Sequence, residues 1–212
     1  MRWYWIDRFI EFESGRYAKA VKNISLAEDH LHDHFPHYPM IPNSLVIEGM
    51  AQTGGLLVCE HNQFKEKVVL AKIPKAVFHC AARPGDTLTY TTKVEYIRAE
   101  GAMVSATSYK GDILHAEAEI VFAHLNDSRL GSLFDPETFL RMMRLLGAFD
   151  VGRAADGSRL RPPHSLVEAA SQTENLAPQV SNGGNGNGNK PCGGGAAQLA
   201  GKAPAGSNGA SS

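Results

Sequence analysis

The chain has 212 residues, of which 43% are hydrophobic, with a formal charge of -1 and a pI near 6.8. This near-neutral balance argues against nucleic acid as the main partner, since phosphate binding needs a basic field. No apolar run approaches the roughly 18–20 residues of a membrane span. The first residues lack the apolar region of a signal peptide, so we expect a cytoplasmic protein.

The first 125 residues predict strands around one long helix. Residues 9–13 and 17–24 alternate around a Ser14-Gly15 turn, which predicts a hairpin. The helix is predicted to begin at Asn43 or Ser44, a good N-cap after Pro42, and to run to about residue 63. Cys59 lies in this helix and Cys80 in a predicted strand, so both are expected to be buried; with Cys192 they fit neither a disulfide framework nor a metal motif.

Five further strands are predicted, at residues 68–72, 76–80, 87–98, 102–109 and 113–125. One long buried helix with antiparallel strands is an α+β layout, in which a curved sheet wraps around a central helix. Residues 1–125 are therefore predicted to form one domain.

The remainder of the chain is predicted to form two further parts. Residues 126–150 are a helical extension, with an amphipathic helix over 136–147 that is expected to pack on the sheet or on a second subunit. Residues 151–212 are rich in Gly, Ala, Asn, Ser and Pro. We predict that this tail is disordered, because it buries too little apolar area to offset the entropy of ordering it.

The most informative pair of residues is His34 and Glu48. Glu48 lies in an otherwise apolar helix, where we expect a buried carboxylate to be costly unless it is paired or protonated, because desolvation disfavours its charged form. A near-neutral carboxyl group beside a histidine suits general acid–base catalysis. The alternatives are a structural His34 that caps a turn, and a Glu48 that pairs with an Arg or Lys.

Gln52 lies one turn beyond Glu48 on the same helix face. We expect Gln52 to orient the carboxylate through a hydrogen bond. The alternative is that Gln52 is a polar residue at a dimer interface with no specific role. Histidines also cluster before the helix, at a spacing at which metal binding is conceivable. The cluster comprises His30, His32, His34 and His37, with Asp29 and Asp33.

This segment resembles the FabZ-type 3-hydroxyacyl-[acyl-carrier-protein] dehydratases of the hot-dog fold. The family pattern is roughly H-F-P-G-H-P-x-x-P-G-V-L-x-x-E-A-M-A-Q, and the similarity extends over about residues 5–125. A helix-borne Glu is similar to FabZ, whereas Asp is usual in the FabA-type dehydratase/isomerase. The matching residues are His34-Phe35-Pro36-His37-Tyr38-Pro39-Met40-Ile41-Pro42-Asn43-Ser44-Leu45-Val46-Ile47-Glu48-Gly49-Met50-Ala51-Gln52, then Arg83-Pro84-Gly85-Asp86 and residues 116–123.

Three positions depart from the family pattern. His37 and Tyr38 stand where Gly and His are usual, and Asn43 stands where a Gly is usual. In the family, the backbone N–H of that last glycine polarises the thioester carbonyl. Asn43 keeps this N–H, and Asn tolerates left-handed conformations best after Gly. Its side chain is expected to narrow the pocket and change which acyl chains fit.

The resemblance implies reversible dehydration of a (3R)-hydroxyacyl-acyl-carrier-protein thioester to the trans-2-enoyl thioester, in fatty acid or related lipid biosynthesis. It implies His34 as the base and Glu48 as the acid, with a shared water or reversed roles as the alternatives. It also implies N–H groups near Asn43 that hold the thioester oxygen. Phe35 and Tyr38 are expected to be pocket walls. No cofactor is implied. We expect no metal, because the family needs none and the histidine cluster is predicted to lie in an exposed loop.

The resemblance also implies partners. In the family, the histidine of one subunit faces the carboxylate of the other, so a homodimer is implied, and a trimer of dimers is also common. The acidic acyl carrier protein would meet Arg83, Lys72 or Lys75, although each could equally be a solvated charge.

Two other functions remain open at the level of sequence. One is a hot-dog acyl thioesterase, in which the carboxylate would activate water. The other is a non-catalytic acyl-binding subunit of a lipid or polyketide pathway, which would tolerate the three departures. The His-Phe-Pro turn favours the dehydratase over the thioesterase, since hot-dog thioesterases generally lack it. The sequence indicates neither the acyl chain length nor whether the carrier is acyl carrier protein or coenzyme A.

Overall fold

The structure is a computed structural model that describes residues 4–125, 136–168 and 171. Within these residues the strands are β1 (Arg8–Glu13), β2 (Tyr17–Asn23), β3 (Lys67–Phe78), β4 (Thr87–Arg98), β5 (Gly101–Lys110), β6 (Ile113–Leu125) and β7 (Gly152–Arg153). The helices are α1 (His30–Asp33), α2 (Asn43–His61), α3 (Pro136–Leu145) and α4 (Ala148–Val151).

The strands form one sheet in the order β3-β6-β5-β4-β2-β1-β7. Neighbouring strands are antiparallel, except that β7 runs parallel to β1. Buried residues alternate with more exposed ones along β2 and β5, as expected when one sheet face is covered. The long helix α2 packs against β2, β3, β4 and β5. The predicted α+β layout of a sheet around a central helix is confirmed.

The close approach of α2 to the sheet depends on Gly49. A Cβ atom added there would lie 2.5 Å from a ring carbon of Tyr90 and 2.9 Å from the carbonyl oxygen of Trp5. Tyr90 is wholly buried, so its ring cannot move aside into solvent. A glycine at this position therefore sets the distance between the helix and β4.

Helix α2 begins at Asn43, one of the two predicted positions, but the predicted N-cap was wrong. Pro42 is the N-cap, with φ -56° and ψ 135°, and Asn43 is the first helical residue. The proline carbonyl accepts hydrogen bonds from the N–H groups of Leu45 and Val46, at 2.9 and 3.2 Å. Proline suits this position because its ring fixes φ and its missing N–H costs nothing outside the helix. The helix ends at His61.

The two short strands predicted at residues 68–72 and 76–80 are one strand, β3. Its pairing with β6 shifts register between Leu70 and Lys72 and again between Lys72 and Lys75. Pro74 lies in the second irregularity, and a proline is tolerated because β3 is an edge strand among the described strands. Cys80 lies beyond the strand and is half-buried, not buried as predicted. Cys59 is buried, as predicted, and burial raises the pKa of its thiol to about 12.

The helix predicted at residues 136–147 is present as α3, and it packs against the rest of the unit. The Phe139 ring lies 5.6 Å from that of Phe64, just past α2. The backbone N–H of Phe9 in β1 donates to the carbonyl of Leu146, at 2.8 Å. Buried residues on this helix include Leu140, Met142 and Met143.

The chain remains folded beyond Val151, where the tail was predicted to begin. Strand β7 extends the sheet at the edge of β1, and Leu160 and Leu166 are buried. Gly152 allows this packing, because an added Cβ would lie 2.8 Å from the Leu160 side chain. The Asn/Gly-rich part of the predicted tail and Cys192 lie outside the described residues. In the described part of the chain, no helix has the length and apolar character needed to span a membrane.

Candidate active site

A tight turn precedes the central helix. The N–H of Tyr38 donates to the carbonyl of Phe35 at 2.9 Å, and the N–H of Phe35 donates to the carbonyl of Tyr38 at 3.2 Å. Pro36 occupies the second position of the turn and His37 the third, with a left-handed φ of 65°. This is the arrangement of a type II turn, which favours glycine in third position. His37 therefore adopts the conformation for which the family pattern has a glycine.

His34 lies immediately before this turn and immediately after α1. Its imidazole stacks on the Phe35 ring, with 4.3 Å between ring centroids. Its carbonyl accepts a hydrogen bond from the N–H of Met40, at 3.2 Å. The imidazole is half-buried, so these contacts fix its position while leaving it accessible.

Glu48 is held by a chain of hydrogen bonds. Gln52 donates through Nε2 to Oε1 of Glu48, at 2.9 Å, as the sequence predicted. The Oε1 atom of Gln52 in turn accepts from the backbone N–H of Trp5, also at 2.9 Å. Because Gln52 is buried and bound at both ends, it fixes the orientation of the carboxylate.

Trp5 is a site residue that sequence reasoning missed. It contacts Gln52 through its backbone, and its ring meets that of His30 edge-on, with 5.2 Å between centroids. Burial lowers the pKa of His30, an effect that the nearby Glu28 opposes. Backbone hydrogen bonds leave no residue pattern, so nothing in the sequence pointed to Trp5.

Phe35 and Tyr38, predicted to be pocket walls, lie on the surface of the single chain, where they are 55% and 48% exposed. The guanidinium of Arg83 lies over the Tyr38 ring, 4.1 Å from its centroid, which is a cation–π contact. The Arg83 backbone N–H also donates to Asp86, at 2.9 Å. The turn before α2 is thus braced against the Arg83–Asp86 turn.

Glu48 is half-buried, so the prediction that it is buried is wrong for the single chain. The sheet covers only one side of the first turns of α2, and Asn43 and Ser44 there are exposed. As in any α-helix, the first N–H groups have no acceptor within the helix, and they carry its positive dipole end. Among the described residues, His34 and Glu48 form no hydrogen bond or ion pair with each other.

The histidine cluster shows no metal-binding arrangement. Within residues 4–125, 136–168 and 171, no three His, Cys, Asp or Glu side chains are grouped as metal ligands. Nε2 of His32 lies 2.9 Å from the carbonyl oxygen of Leu26. Lys72 and Lys75 are exposed on β3.

Comparison with known proteins identifies the family. Residues 3–123 match the model of the FabA-like domain. A curated 3-hydroxyacyl-[acyl-carrier-protein] dehydratase FabZ from Caldicellulosiruptor saccharolyticus is 35% identical over 119 residues, which cover 56% of this chain and 85% of the relative. The enzyme of the same name from Nitratiruptor sp. is 39% identical over 122 residues, covering 54% and 82%.

One solved structure supports the fold. A chain of the dehydratase heterocomplex ApeI:P from Xenorhabdus doucetiae superposes with a TM-score of 0.50 at 14% identity, covering 60% of this chain and 87% of that one. At this identity the likeness shows the fold alone. The chain therefore belongs to the FabA-like domain family and has the hot-dog fold.

Proposed function

We propose that this protein is a 3-hydroxyacyl-[acyl-carrier-protein] dehydratase, which converts a (3R)-3-hydroxyacyl thioester into the trans-2-enoyl thioester and water in fatty acid or related lipid biosynthesis. The observation that carries the proposal is the hydrogen-bonded placement of Glu48 on α2, fourteen residues after a His34 held by its own turn. The curated relatives that the chain matches bear the name of this activity.

The reaction needs a base, an acid and an oxyanion donor. His34 takes the proton from Cα, and the electron pair of that bond forms the double bond to Cβ. The hydroxyl on Cβ leaves with a proton from Glu48, as water. Such general acid–base assistance is typically worth about 10²–10⁴-fold.

The charge that develops on the thioester oxygen is stabilised at the start of α2. The N–H groups of Asn43 and Ser44 are available there, and the helix dipole adds a partial positive charge. The Asn43 side chain is exposed, so it stands beside the entry to this region. We expect it to restrict the acyl chains that fit.

Gln52 acts as a positioning residue. Its amide occupies Oε1 of Glu48, which leaves Oε2 to face the substrate hydroxyl. Because Trp5 holds the other end of the amide, the carboxylate is oriented before substrate binds. Such preorganisation lowers the cost of reaching the reactive geometry.

A second copy of the chain completes the site in this proposal. His34 and Glu48 do not pair among the described residues of one chain, and the aromatic rings of Phe35 and Tyr38 beside His34 are exposed. Strand β3 pairs only with β6 among the described strands, so its outer edge is open to a partner. We propose a homodimer in which His34 of one copy meets Glu48 of the other; dimers could further assemble in threes.

The proposed carrier is the acyl carrier protein. Arg83 stands at the turn before α2, with its guanidinium held by Tyr38, and it offers a fixed positive charge to an acidic partner. Lys72 and Lys75 are exposed on the edge strand and are further candidate contacts.

The test measures enoyl formation by mass spectrometry from 3-hydroxyacyl thioesters of several chain lengths. His34→Ala and Glu48→Gln should each abolish turnover, while the matched control His32→Ala should retain it. Free acid with no enoyl product would indicate a thioesterase. If neither enoyl thioester nor free acid forms at any chain length, the protein is a binding subunit.

Mixing the two inactive variants tests the shared site. If His34 and Glu48 come from different chains, a mixed dimer contains one intact site, and mixing after partial unfolding restores part of the activity. If both come from the same chain, mixing restores nothing. Retained dimerisation of each variant by light scattering is the control.

A further inference from the structure

The edge-on contact between the rings of Trp5 and His30 joins the two parts of the chain that carry the proposed base and the proposed acid. His30 is the first residue of α1, and His34 follows directly after the last residue of this helix. The centroids of the two rings are 5.2 Å apart. On its other side, Trp5 holds the Gln52 amide that orients Glu48. The contact therefore lies between the segment of the base and the side chain of the acid.

Trp5 is fixed against α2 by its backbone. Its N–H donates to Oε1 of Gln52, at 2.9 Å. Its carbonyl oxygen lies 2.9 Å from the position that a Cβ atom would take at Gly49, the residue after Glu48. Both backbone contacts are independent of the indole, so the Trp5 ring is a fixed surface against which another segment can pack.

Helix α1 depends on tertiary contacts for its position. It has only four residues, and a helix this short is not stable by itself. Leu31 anchors it in the core, where this side chain is 1% exposed. His32 bonds to the loop before the helix, with its Nε2 atom 2.9 Å from the carbonyl oxygen of Leu26. One buried side chain fixes the depth of a helix but not its orientation, so the contact of His30 with Trp5 sets the direction in which His34 leaves α1.

His30 makes this contact as an aromatic ring and not as a hydrogen-bonding group. Its Nε2 atom is buried and has no hydrogen-bond partner among the described residues. The carboxylate of Glu28 is 3.5 Å from that atom, and Lys22 pairs with it at 2.7 Å. Burial lowers the pKa of His30; Glu28 opposes this effect, Lys22 and His34 add to it, and Asp29 opposes it weakly. The imidazole is therefore neutral near pH 7.

We propose that His30 is a positioning residue for the dehydration and acts through its edge-on contact with Trp5, an inference that rests on the proposed function. The ring holds α1 against Trp5 and so fixes where His34 lies relative to the segment that orients Glu48. Aromatic pairs of this geometry contribute more than their buried area alone. A catalytic group that is displaced by about 1 Å can cost about 10²-fold in rate.

The test is the steady-state kinetics of enoyl formation with substitutions at position 30. His30→Leu keeps an apolar side chain but removes the ring, and it should lower kcat by about fivefold with little change in KM, as the loss of one aromatic pair predicts. His30→Phe should retain kcat, because it restores a ring and Nε2 has no hydrogen bond to lose. His32→Leu, in the same helix, is the matched control and should also retain kcat. Unchanged circular dichroism confirms that each variant is folded.

A double-mutant cycle shows whether His30 acts through Trp5. Trp5→Leu removes the indole but keeps the backbone N–H that holds Gln52. If the ring contact is responsible, His30→Leu should lower kcat no further in a chain that already carries Trp5→Leu. If the two side chains act independently, their effects on kcat multiply.

Three results would overturn the inference while leaving the proposed function intact. They are a retained kcat in His30→Leu, an equal loss of kcat in His30→Leu and His30→Phe, and effects that multiply in the cycle. Failure of the proposed function is distinguishable, because the unchanged protein would then form no enoyl product, and that result would overturn both.

Discussion

Substitution of Gly49 by Ala tests whether the close approach of α2 to the sheet is required. The added Cβ would meet two ring carbons of Tyr90 at 2.5 and 2.8 Å and the carbonyl oxygen of Trp5 at 2.9 Å. The ring is wholly buried and the oxygen belongs to the backbone, so neither can yield cheaply. The helix must therefore shift away from β4.

The size of the effect follows from two opposing contributions. Overpacking of a core costs about 1–3 kcal/mol, and three contacts this short indicate the upper end. Ala is favoured over Gly within a helix by about 1 kcal/mol, which offsets part of the cost. The free energy of unfolding should fall by about 2 kcal/mol, which lowers the melting temperature by about 4–8 °C for a chain of this size.

Gly55 provides a matched control on the same helix. A Cβ there would lie 3.4 Å from the nearest atom, a ring carbon of Phe122, which is an ordinary contact. Gly55→Ala should therefore raise the free energy of unfolding by about 1 kcal/mol. Urea unfolding followed by circular dichroism, at one fixed protein concentration, measures both variants. Shifts of the same sign in Gly49→Ala and Gly55→Ala would refute the packing argument.

Three further predictions concern the site and the pH dependence of stability. Gln52→Leu should lower kcat far more than it changes KM, because it frees the carboxylate of Glu48. Loss of the hydrogen bond between Gln52 and the Trp5 N–H should cost about 1–3 kcal/mol of stability. An unchanged kcat in steady-state assays would contradict the positioning role. His37→Gly should be more stable than His37→Ala by about 1 kcal/mol, because both substitutions remove the imidazole but only glycine adopts the left-handed φ without strain. Equal urea midpoints of the two variants would show that the turn relaxes. Burial lowers the pKa of His115 below its ordinary 6.5, so the unfolded chain binds the proton more readily and the folded state loses stability as pH falls below about 6.5. In thermal melts over that pH range, the melting temperature of His115→Gln should fall less steeply than that of the unchanged protein. Equal slopes of melting temperature against pH would contradict this prediction.

Regular alternation allowed two strands to be predicted to the residue. Strands β4 and β6 have the predicted bounds, Thr87–Arg98 and Ile113–Leu125. In these strands, apolar side chains face the central helix and alternate with polar ones, so the strands can be predicted from the sequence alone. The largely apolar sequence of α2 predicted the core helix for the same reason.

Edges of the sheet were predicted less well. Two short strands were predicted where β3 is continuous, because an edge strand tolerates Pro74, which has no N–H, and pairing with β6 continues past it. Strand β7 has only two residues, too few to carry a pattern, and it forms because buried Leu160 packs on Gly152. The composition of the segment after Val151 gave no sign of that packing.

The order and spacing of His34, Glu48 and Gln52 along the chain are properties of the sequence, and a helical repeat is enough to place Gln52 against Glu48. Only the tertiary structure joined Gln52 to Trp5, 47 residues away, left Glu48 half-buried, and buried the Oε2 atom of Glu60 with no donor among the described residues. A local pattern determines contacts within one element. The desolvation of a charge and the partner of a backbone N–H depend on which distant segments cover it, and these are decided when the sheet closes around the helix.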